Sequence, residues 1–438
     1  MGRGRLGPMF MHHYLLDMSG HGATQPLYGR DTAIVYNGEI YNADRFTGPG
    51  AAGGDGAALP LAYAAYGDAF PQHLEGEFAI FLFDAKRQVV ILASDVFGTK
   101  PLWMAITRGG PCGGVRPCFG ASSYRLPLLR LGFQEEDCTQ APPNTILTLA
   151  LPSFNVVSER AVFEFDMRQY KTSTEDFMVA FHRAVARRLD THHRAFLSLS
   201  SGYDSGALHL AVHEAGFSTS VYSVVAQEDL AILESRLALT GGLLIAPTAE
   251  ELEEAAELLY SVEPYLYTTP GSKAGALYLD GAAQAMVLLC AAARAEETPV
   301  LIHLSAGGGD EIMTDYGFGG ECFTSHCTLK GIFPENLTEV FPWPLFFLHT
   351  QRDYLMKEEV VTGALGMEGR YPYLDPRVVQ EYLWLRNEVK NEVYKAPLHH
   401  FMLSREYRFA VGQKLGFIAT YRLAVGGSKV VHEVVQGG

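Results

Sequence analysis

The segment FLSLSSGYDSGALHL at residues 196–210 restricts the fold and chemistry of the chain more than any other stretch. Its apolar start predicts a buried strand, and its second half predicts a helix that begins with almost no linker. Small and hydroxyl-bearing residues at such a turn let backbone N–H groups approach an anion, and the helix N-terminus adds partial positive charge. The spacing of a Walker loop is absent. An ordinary strand-to-helix turn capped by Ser or Asp is the alternative.

A second segment of the same kind, VLIHLSAGGGDEI at residues 300–312, favours the anion-binding interpretation. Here too an apolar strand runs into a loop of Ser, Gly and Asp residues. Ligands of parallel sheets bind beyond the carboxyl ends of the strands, so both loops would lie at the same edge. Three consecutive glycines are costly at a helix start and call for a reason such as close backbone approach. The pair of loops suits a nucleotide triphosphate whose metal Asp204 could hold; a flexible loop is the alternative.

The chain changes character near residue 165. Before it, apolar runs at 77–83 and 89–93 flank a polar stretch and predict a β-hairpin. After it, strands and helices alternate, which predicts parallel βαβ units. The predicted strands are 195–199, 219–225 and 299–304, and the predicted helices are 174–189, 205–215, 228–239, 250–260 and 273–295. We therefore expect a β-rich domain over 1–165 and an α/β domain over 166–438.

The composition is that of a globular protein with no surplus of basic residues. Of 438 residues, 48% are apolar and 19% are charged, and the net charge is −15. That charge argues against a non-specific grip on nucleic acid, although it leaves a local basic patch open. The most apolar stretch, 282–293, is too short to span a bilayer, and the N-terminus lacks a secretory signal. We expect a cytoplasmic protein with no nucleic-acid or membrane partner.

The cysteines are irregularly spaced, which favours free thiols in a reducing compartment. They are Cys112, Cys118, Cys138, Cys290, Cys322 and Cys327. Cys322 and Cys327 flank His326, but a metal site would need a fourth ligand at normal spacing. Free thiols are therefore the prediction for all six.

Three motifs in the second half resemble those of the asparagine synthetases and their relatives, the β-lactam and carbapenam synthetases. The family's SGGxDSS loop is matched by residues 200–206, its SGEGxDE loop by residues 305–311 and its ExRxPFLD segment by EGRYPYLD at 368–375. The first half resembles class II glutamine amidotransferases in YNGEIYN at 36–42, LEGEFAIFLFD at 74–84 and SDVFGTKPLW at 94–103. The motifs follow the family's order and cover nearly the whole chain.

The resemblance implies a fold and a reaction. The fold is α/β plus α+β, with a truncated, Ntn-type glutaminase-like β-sandwich followed by a Rossmann-like, parallel-sheet ATP-pyrophosphatase synthetase domain. In the reaction, ATP and Mg²⁺ activate a small-molecule carboxylate as an acyl-adenylate, pyrophosphate leaves, and an amine attacks to give an amide and AMP. Such an enzyme mainly positions its reactants and neutralises phosphate charge. The resemblance also implies a homodimer.

Matching the motifs residue by residue assigns a role to particular side chains. The residues that would bind ATP and pyrophosphate are Ser200, Ser201, Gly202, Asp204, Ser205, Val225, Ser305, Gly307 and Gly308. Asp204 and Asp310 would also face the metal. Lys414 falls where the family keeps a lysine over the α-phosphate and is the predicted catalytic residue, with a surface lysine as the alternative. Lys395 is a second family-like position, for which a structural role is favoured.

The first half departs from the family at its nucleophile. A class II glutaminase attacks glutamine with an N-terminal cysteine, whereas this sequence begins Met-Gly-Arg. His12 falls where the family's glutamine-binding arginine would be. Asn37 and Gly38 of the oxyanion hole and Asp55 of the amine site are retained as remnants. We expect an inactive, scaffold-like domain; a missing true N-terminus would instead favour glutamine-dependent asparagine synthesis.

The second half departs from the family at Gly307. The family has a glutamate there, or a tyrosine in the β-lactam branch, and that side chain is its candidate for deprotonating the attacking amine. Either another base serves, or the amine arrives neutral, or turnover is lost and the protein is a nucleotide-binding scaffold. Glu358 and Glu359 are candidate substitutes, although charges on a helix face are commonly only solvated. The leading expectation is an ATP-dependent ligase that uses ammonia or a substrate amine.

Overall fold

The computed structural model describes residues 2–7, 9–14, 16, 24–50, 53–108, 117–189, 194–225, 228–268 and 276–413. The chain divides into two compact units, Met1–Glu164 and Phe165–Gly438. The architecture is mixed α/β, as the sequence predicts: antiparallel sheets build the first unit, and a parallel sheet lies at the centre of the second. Within the described ranges, no helix combines the length and the hydropathy that crossing a membrane requires.

The first unit consists mainly of strands. Those in its described part are β1 (Gly2–Leu6), β2 (Met9–His13), β3 (Leu27–Tyr28), β4 (Thr32–Ile40), β5 (Gly76–Asp84), β6 (Val89–Ser94), β7 (Trp103–Arg108), β8 (Pro117–Ser122), β9 (Cys138–Gln140), β10 (Thr145–Ala150) and β11 (Asn155–Ala161). The helices between them are α1 (Asp44–Thr47), α2 (Ala58–Tyr66) and α3 (Arg125–Arg130). Six strands form one antiparallel sheet in the order β11-β10-β6-β5-β4-β3, and β8-β7-β9 form another.

One apolar cluster of the first unit joins its two larger sheets. Phe83 of β5 and Leu92 of β6 are buried in one apolar cluster, against which Met104 of β7 and Phe119 of β8 pack. The ring of Phe81 stacks on that of Phe119, with centroids 6.1 Å apart. The predicted hairpin is confirmed, because β5 and β6 pair antiparallel. Both strands are covered on their two faces, which explains their nearly continuous apolar sequence.

The second unit alternates strands and helices. Its described strands are β12 (Ala195–Ser198), β13 (Ser220–Val224), β14 (Leu243–Ile245), β15 (Ile302–Leu304), β16 (Gly317–Phe318), β17 (Glu321–Cys322) and β18 (Glu368–Arg370). Its described helices are α4 (Glu175–Leu189), α5 (Tyr203–Glu214), α6 (Leu230–Thr240), α7 (Ala249–Val262), α8 (Gly281–Arg294), α9 (Gly309–Met313), α10 (Pro344–Phe347), α11 (Thr350–Ala364), α12 (Pro376–Trp384), α13 (Asn387–Glu392) and α14 (Ala396–Ser404). Five strands form a parallel sheet in the order β14-β13-β12-β15-β18.

The parallel βαβ pattern predicted for this unit is confirmed, with differences in detail. The predicted apolar face of α4 is buried, including Phe177 and Phe181. In the described part of the helix predicted over 273–295, α8 begins at Gly281, because Asp280 caps it by accepting hydrogen bonds from the N–H groups of residues 282 and 283. Residues 273–275 lie outside the described residues. Strands β14 and β18 were not predicted from the sequence, because each has only three residues, which is too short to show a hydrophobic period.

The expectation of six free thiols is wrong. Cys322 and Cys327 form a disulfide, with their Cα atoms 5.6 Å apart. The antiparallel pairing of β16 with β17 forms a small hairpin in this segment, where the two thiols meet. Cys118 is also disulfide-bonded, whereas Cys138 and Cys290 are free. Spacing along the sequence does not report which thiols a turn brings within bonding distance.

Candidate functional site

The two loops that the sequence singles out begin side by side. The first loop, residues 199–202, follows β12, and the second loop, residues 305–308, follows β15. These strands are parallel neighbours, with Leu197 opposite Leu304. Each loop leads directly into a helix, α5 after the first and α9 after the second. The carboxyl edge of the sheet therefore carries two adjacent helix N-termini, an arrangement that favours negatively charged ligands.

Hydroxyl groups hold the first loop in a tight curve. The backbone N–H of Ser200 donates to Ser205 Oγ at 3.0 Å, and the hydroxyls of the two residues lie 2.7 Å apart. The N–H of Gly202 donates to Ser200 Oγ at 3.1 Å. These bonds tie the loop to the first turn of α5. They hold Ser200, Gly202 and Ser205 in one hydrogen-bonded turn.

Contacts inside the protein account for two of the three consecutive glycines. Gly308 has a φ of +94°, and a Cβ there would lie 2.3 Å from Leu374 Cδ2. A Cβ on Gly309 would lie 2.4 Å from Asp204 Oδ1. The glycines therefore let the second loop approach both α5 and the segment after β18. The close approach that the sequence suggested takes place here between two parts of the protein.

A buried lysine joins the two predicted metal-facing carboxylates. The Lys395 ammonium lies 2.5 Å from Asp204 Oδ2 and 2.7 Å from Asp310 Oδ1. Burial alone would disfavour its charge, but Asp204 and then Asp310 outweigh burial and hold the pKa of Lys395 well above its usual value. The Tyr394 hydroxyl donates to Asp310 Oδ1 at 3.0 Å. Lys395, for which the sequence favoured a structural role, contacts both carboxylates of the candidate site.

Asp204 and Asp310 are the residues that could hold a magnesium ion together with phosphate oxygens. Mg²⁺ prefers oxygen ligands and is commonly held by one or two carboxylates, with phosphate oxygens and waters completing its shell. Asp204 and Asp310 supply such a pair, one from each helix N-terminus. In the described part of the chain, no group of three or more His, Cys, Asp or Glu side chains forms a metal site by itself.

The remaining predicted nucleotide-site residues are distributed around this edge. Val225 lies at the end of β13, where its N–H donates to the Ile245 carbonyl at 2.8 Å. Ser305 is buried, and its hydroxyl accepts a hydrogen bond from the N–H of Gly307 at 2.9 Å. Lys414 lies outside the described residues, so its role stays a prediction. Two residues before it, the N–H of Gly412 donates to the Tyr203 hydroxyl at 3.0 Å.

A carboxylate fills the space beside Gly307. A Cβ on Gly307 would lie 3.3 Å from Glu358 Oε1. The Glu358 side chain is only 16% exposed, and its Oε2 lies 4.0 Å from His303 Nδ1. Burial raises the pKa of Glu358 to about 7. The neighbouring Glu359 points elsewhere, because it accepts a hydrogen bond from the Tyr371 hydroxyl at 2.8 Å.

Two residues that contact the first loop were not predicted from the sequence. The Glu228 carboxylate accepts a hydrogen bond from the Ser201 N–H at 2.5 Å and another from the Ser201 hydroxyl. On the opposite side of the loop, buried Arg236 donates to the carbonyls of Ser200 and Gly202. Both residues belong to the segment after β13. No local signal distinguishes Glu228 from an ordinary residue before a helix, or Arg236 from an ordinary residue within one.

The glutamine-site remnants of the first unit lie around one end of β4. Gly38 has a φ of +125°, and a Cβ there would lie 1.8 Å from the Glu77 carbonyl oxygen. Asp55 accepts hydrogen bonds from the Tyr36 hydroxyl at 2.6 Å and from the Ile40 N–H at 2.7 Å. Asn37 lies beside Gly38 in the same strand. Asp55 is thus bonded to the strand that carries Asn37 and Gly38.

Comparison with known proteins finds similarity in both units of the chain. The family described as "Glutamine amidotransferase domain" matches residues 12–112. The glutamine-hydrolysing asparagine synthetase of Rattus norvegicus is 23% identical over 388 residues, which is 82% of this chain and 65% of that protein. A putative glutamine-hydrolysing asparagine synthetase of Methanocaldococcus jannaschii is 24% identical over 408 residues, 88% of this chain and 71% of that protein. The amidase chyE of Penicillium rubens is 36% identical over 103 residues, 22% of this chain and 15% of that protein.

The mixed α/β fold and these matches support a relationship to the amidotransferase and ligase families. The resemblance seen in the sequence motifs is confirmed, because the matches support the asparagine synthetase family for this chain. The relationship is distant, and the chain spans about 65% of the length of the rat protein.

Proposed function

We propose that the protein is an ATP-dependent carbon–nitrogen ligase that adenylates a small-molecule carboxylate and joins it to ammonia or to a substrate amine. Residues 166–438 would be a Rossmann-like ATP-pyrophosphatase domain, and residues 1–165 an Ntn-type glutaminase-like domain. The observation that carries the proposal is the pair of loops on adjacent parallel strands, with Asp204 and Asp310 within 2.5 Å and 2.7 Å of one ammonium. A homodimer and a cytoplasmic location stay predictions.

In the proposed first step, a carboxylate oxygen of the substrate attacks the α-phosphorus of ATP, and pyrophosphate leaves. Ser200, Gly202 and Ser205 would surround the departing phosphates in the first loop, beside the α5 N-terminus. Asp204 and Asp310 would hold Mg²⁺, which supplies charge neutralisation for the phosphates. Lys395 adds a buried cation at the same point. Lys414 would neutralise the α-phosphate.

In the proposed second step, the amine nitrogen attacks the acyl carbon, AMP leaves, and the amine loses a proton. We propose Glu358 as the proton acceptor, in place of the side chain that Gly307 lacks. Support comes from its Oε1, which lies 3.3 Å from the Cβ position of Gly307, and from its pKa of about 7. A base with a pKa near the working pH is the most effective. Glu359 is less suited, because the Tyr371 hydroxyl holds its carboxylate away from the loop.

ATP–pyrophosphate exchange in the presence of candidate carboxylates tests the first step. An adenylating enzyme returns labelled pyrophosphate to ATP, and Asp204→Ala should abolish that exchange. Glu253→Gln is the matched control, because Glu253 is an exposed acid of α7. Exchange that survives in Asp204→Ala at the wild-type rate would remove the proposed role of this site.

Two other functions remain as candidates. The first is a nucleotide-binding scaffold without turnover, favoured because Gly307 lacks the side chain that would accept the amine's proton. Such a scaffold would bind ATP yet show no exchange. The match of residues 12–112 to a glutamine amidotransferase domain, with Asn37, Gly38 and Asp55 retained, favours glutamine-dependent amide formation. Measurement of glutamate release from glutamine distinguishes this second candidate.

A further inference from the structure

The first loop already donates hydrogen bonds to a carboxylate of the protein itself, that of Glu228. Glu228 follows β13, whose carboxyl end lies at the same edge of the sheet as that of β12. One of its carboxylate oxygens accepts hydrogen bonds from both the N–H and the hydroxyl of Ser201. The N–H of Asp229 then donates to the Ser201 hydroxyl at 3.1 Å. An acceptor oxygen with negative charge thus occupies two donors of the proposed phosphate loop.

Arg236 completes this arrangement from the other side of the loop. Its guanidinium is fully buried and donates to the Gly202 carbonyl at 2.9 Å. A Cβ on Gly206 would lie 2.5 Å from Arg236 Cζ, so any larger residue at 206 would displace the guanidinium. The family motif SGGxDSS has Gly and Ser where this chain has Ser201 and Gly206. Both departures therefore belong to one cluster: Ser201 binds Glu228, and Gly206 makes room for Arg236.

The two anions compete because they need the same donors. A phosphate oxygen at the first loop would be recognised by backbone N–H and hydroxyl groups, which are the groups that Ser201 gives to Glu228. A carboxylate left beside a bound phosphate would also repel it. Burial raises the pKa of Glu228, although its bonds to Ser201 oppose that rise. The carboxylate therefore has to move away, or lose its charge, when a polyphosphate binds.

We propose that Glu228 is an internal competitor for the Ser201 donors and thereby sets the affinity of the first loop for polyphosphates. The inference rests on the proposed function, since it takes the first loop to be the phosphate site. Glu228 would weaken the binding of polyphosphates, whereas a binding residue strengthens it. Removal of its charge should strengthen binding.

Calorimetric titration of the full chain with MgATP, and separately with magnesium pyrophosphate, tests the proposal. Glu228→Gln keeps the size of the side chain and an acceptor oxygen but removes the charge, so both ligands should bind about tenfold more tightly. Glu234→Gln removes the same charge from an exposed position of α6 and should leave both affinities unchanged. Glu228→Asp shortens the reach of the carboxylate and should give an intermediate gain; it also serves if the Gln variant does not fold.

The outcomes separate this inference from the proposed function. Equal or weaker binding in Glu228→Gln, with measurable binding by the wild type, overturns the competitor role and leaves the ligase proposal standing. Equal gains in Glu228→Gln and Glu234→Gln also overturn it, because they would reflect net charge alone. If none of the proteins binds either ligand, the proposed function fails, and the competitor role fails with it.

Discussion

Replacement of Glu358 by Gln should separate adenylation from amide formation. Glu358 is the carboxylate beside Gly307, and its proposed task is to take a proton from the attacking amine. Gln has nearly the same shape but cannot accept that proton. Because Glu358 has no proposed contact with the phosphates, ATP–pyrophosphate exchange should continue. Amide formation should fall by about 10²- to 10⁴-fold, the usual contribution of general base catalysis.

The same substitution should also change how stability depends on pH. Burial raises the pKa of Glu358 to about 7 in the folded protein, from an ordinary value of 4.5. The folded state therefore holds a proton that the unfolded state has released between these values, so stability falls as pH rises from about 4.5 through about 7. At about 1.36 kcal/mol per unit of pKa, a rise of about 2.5 in the pKa corresponds to a loss of roughly 3 kcal/mol well above pH 7. Glu358→Gln should be more stable than the wild type by up to that amount at pH 8 and equal to it at pH 4.

Two assays check these expectations. Urea unfolding at pH 4 to 8 measures the stability difference, and parallel exchange and amide-formation assays measure the two chemical steps. Glu359→Gln is the control: its amide oxygen can still accept the hydrogen bond from the Tyr371 hydroxyl, and the ratio of amide formation to exchange should not change. The reasoning is refuted if Glu358→Gln forms amide at the wild-type rate, or if its stability shows the same pH dependence as that of the wild type.

Three further substitutions test other contacts of the second unit. Lys395→Met leaves Asp204 and Asp310 without their shared cation and should lower the free energy of unfolding in urea by about 3–5 kcal/mol. Millimolar MgCl₂ should raise the Tm of this variant more than that of the wild type. Equal Tm shifts would contradict the site. Gly309→Ala brings a Cβ to 2.4 Å from Asp204 Oδ1 and should lose about 1–3 kcal/mol of stability together with exchange, whereas unchanged exchange would show that the approach is not needed. Cys322→Ser combined with Cys327→Ser removes the disulfide and should lower the free energy of unfolding by about 2 kcal/mol. Dithiothreitol should lower the urea midpoint of the wild type by a similar amount. No change in either measurement would contradict the disulfide.

The parts of the structure that follow from local patterns were predictable from the sequence. The strand, loop and helix around residues 196–210 lie next to one another in the chain, so their apolar and small residues predict them directly. The buried face of α4 follows from the spacing of Phe177 and Phe181 in the same way. The adjacency of the two loops required only the rule that ligands bind at the carboxyl edge of a parallel sheet.

The parts that depend on packing between distant segments were not predictable. Arg236 bonds to the Ser200 carbonyl across 36 positions, and Lys395 reaches Asp204 across 191 positions. No pattern near Arg236 or Lys395 reports such a contact, because it depends on how α6 and α14 pack against α5. The disulfide of Cys322 was missed for a related reason, since the turn that closes it has no strong signature. The role of Lys414 stays a prediction.

A crystal structure of the protein with a non-hydrolysable ATP analogue and magnesium tests the central claim most directly. The account predicts the triphosphate at the carboxyl edge of the parallel sheet, between the first and second loops, with a magnesium ion bound by Asp204 and Asp310 and with the Glu228 carboxylate displaced from Ser201. A triphosphate bound elsewhere, or crystals that bind no analogue at saturating concentration, would contradict it.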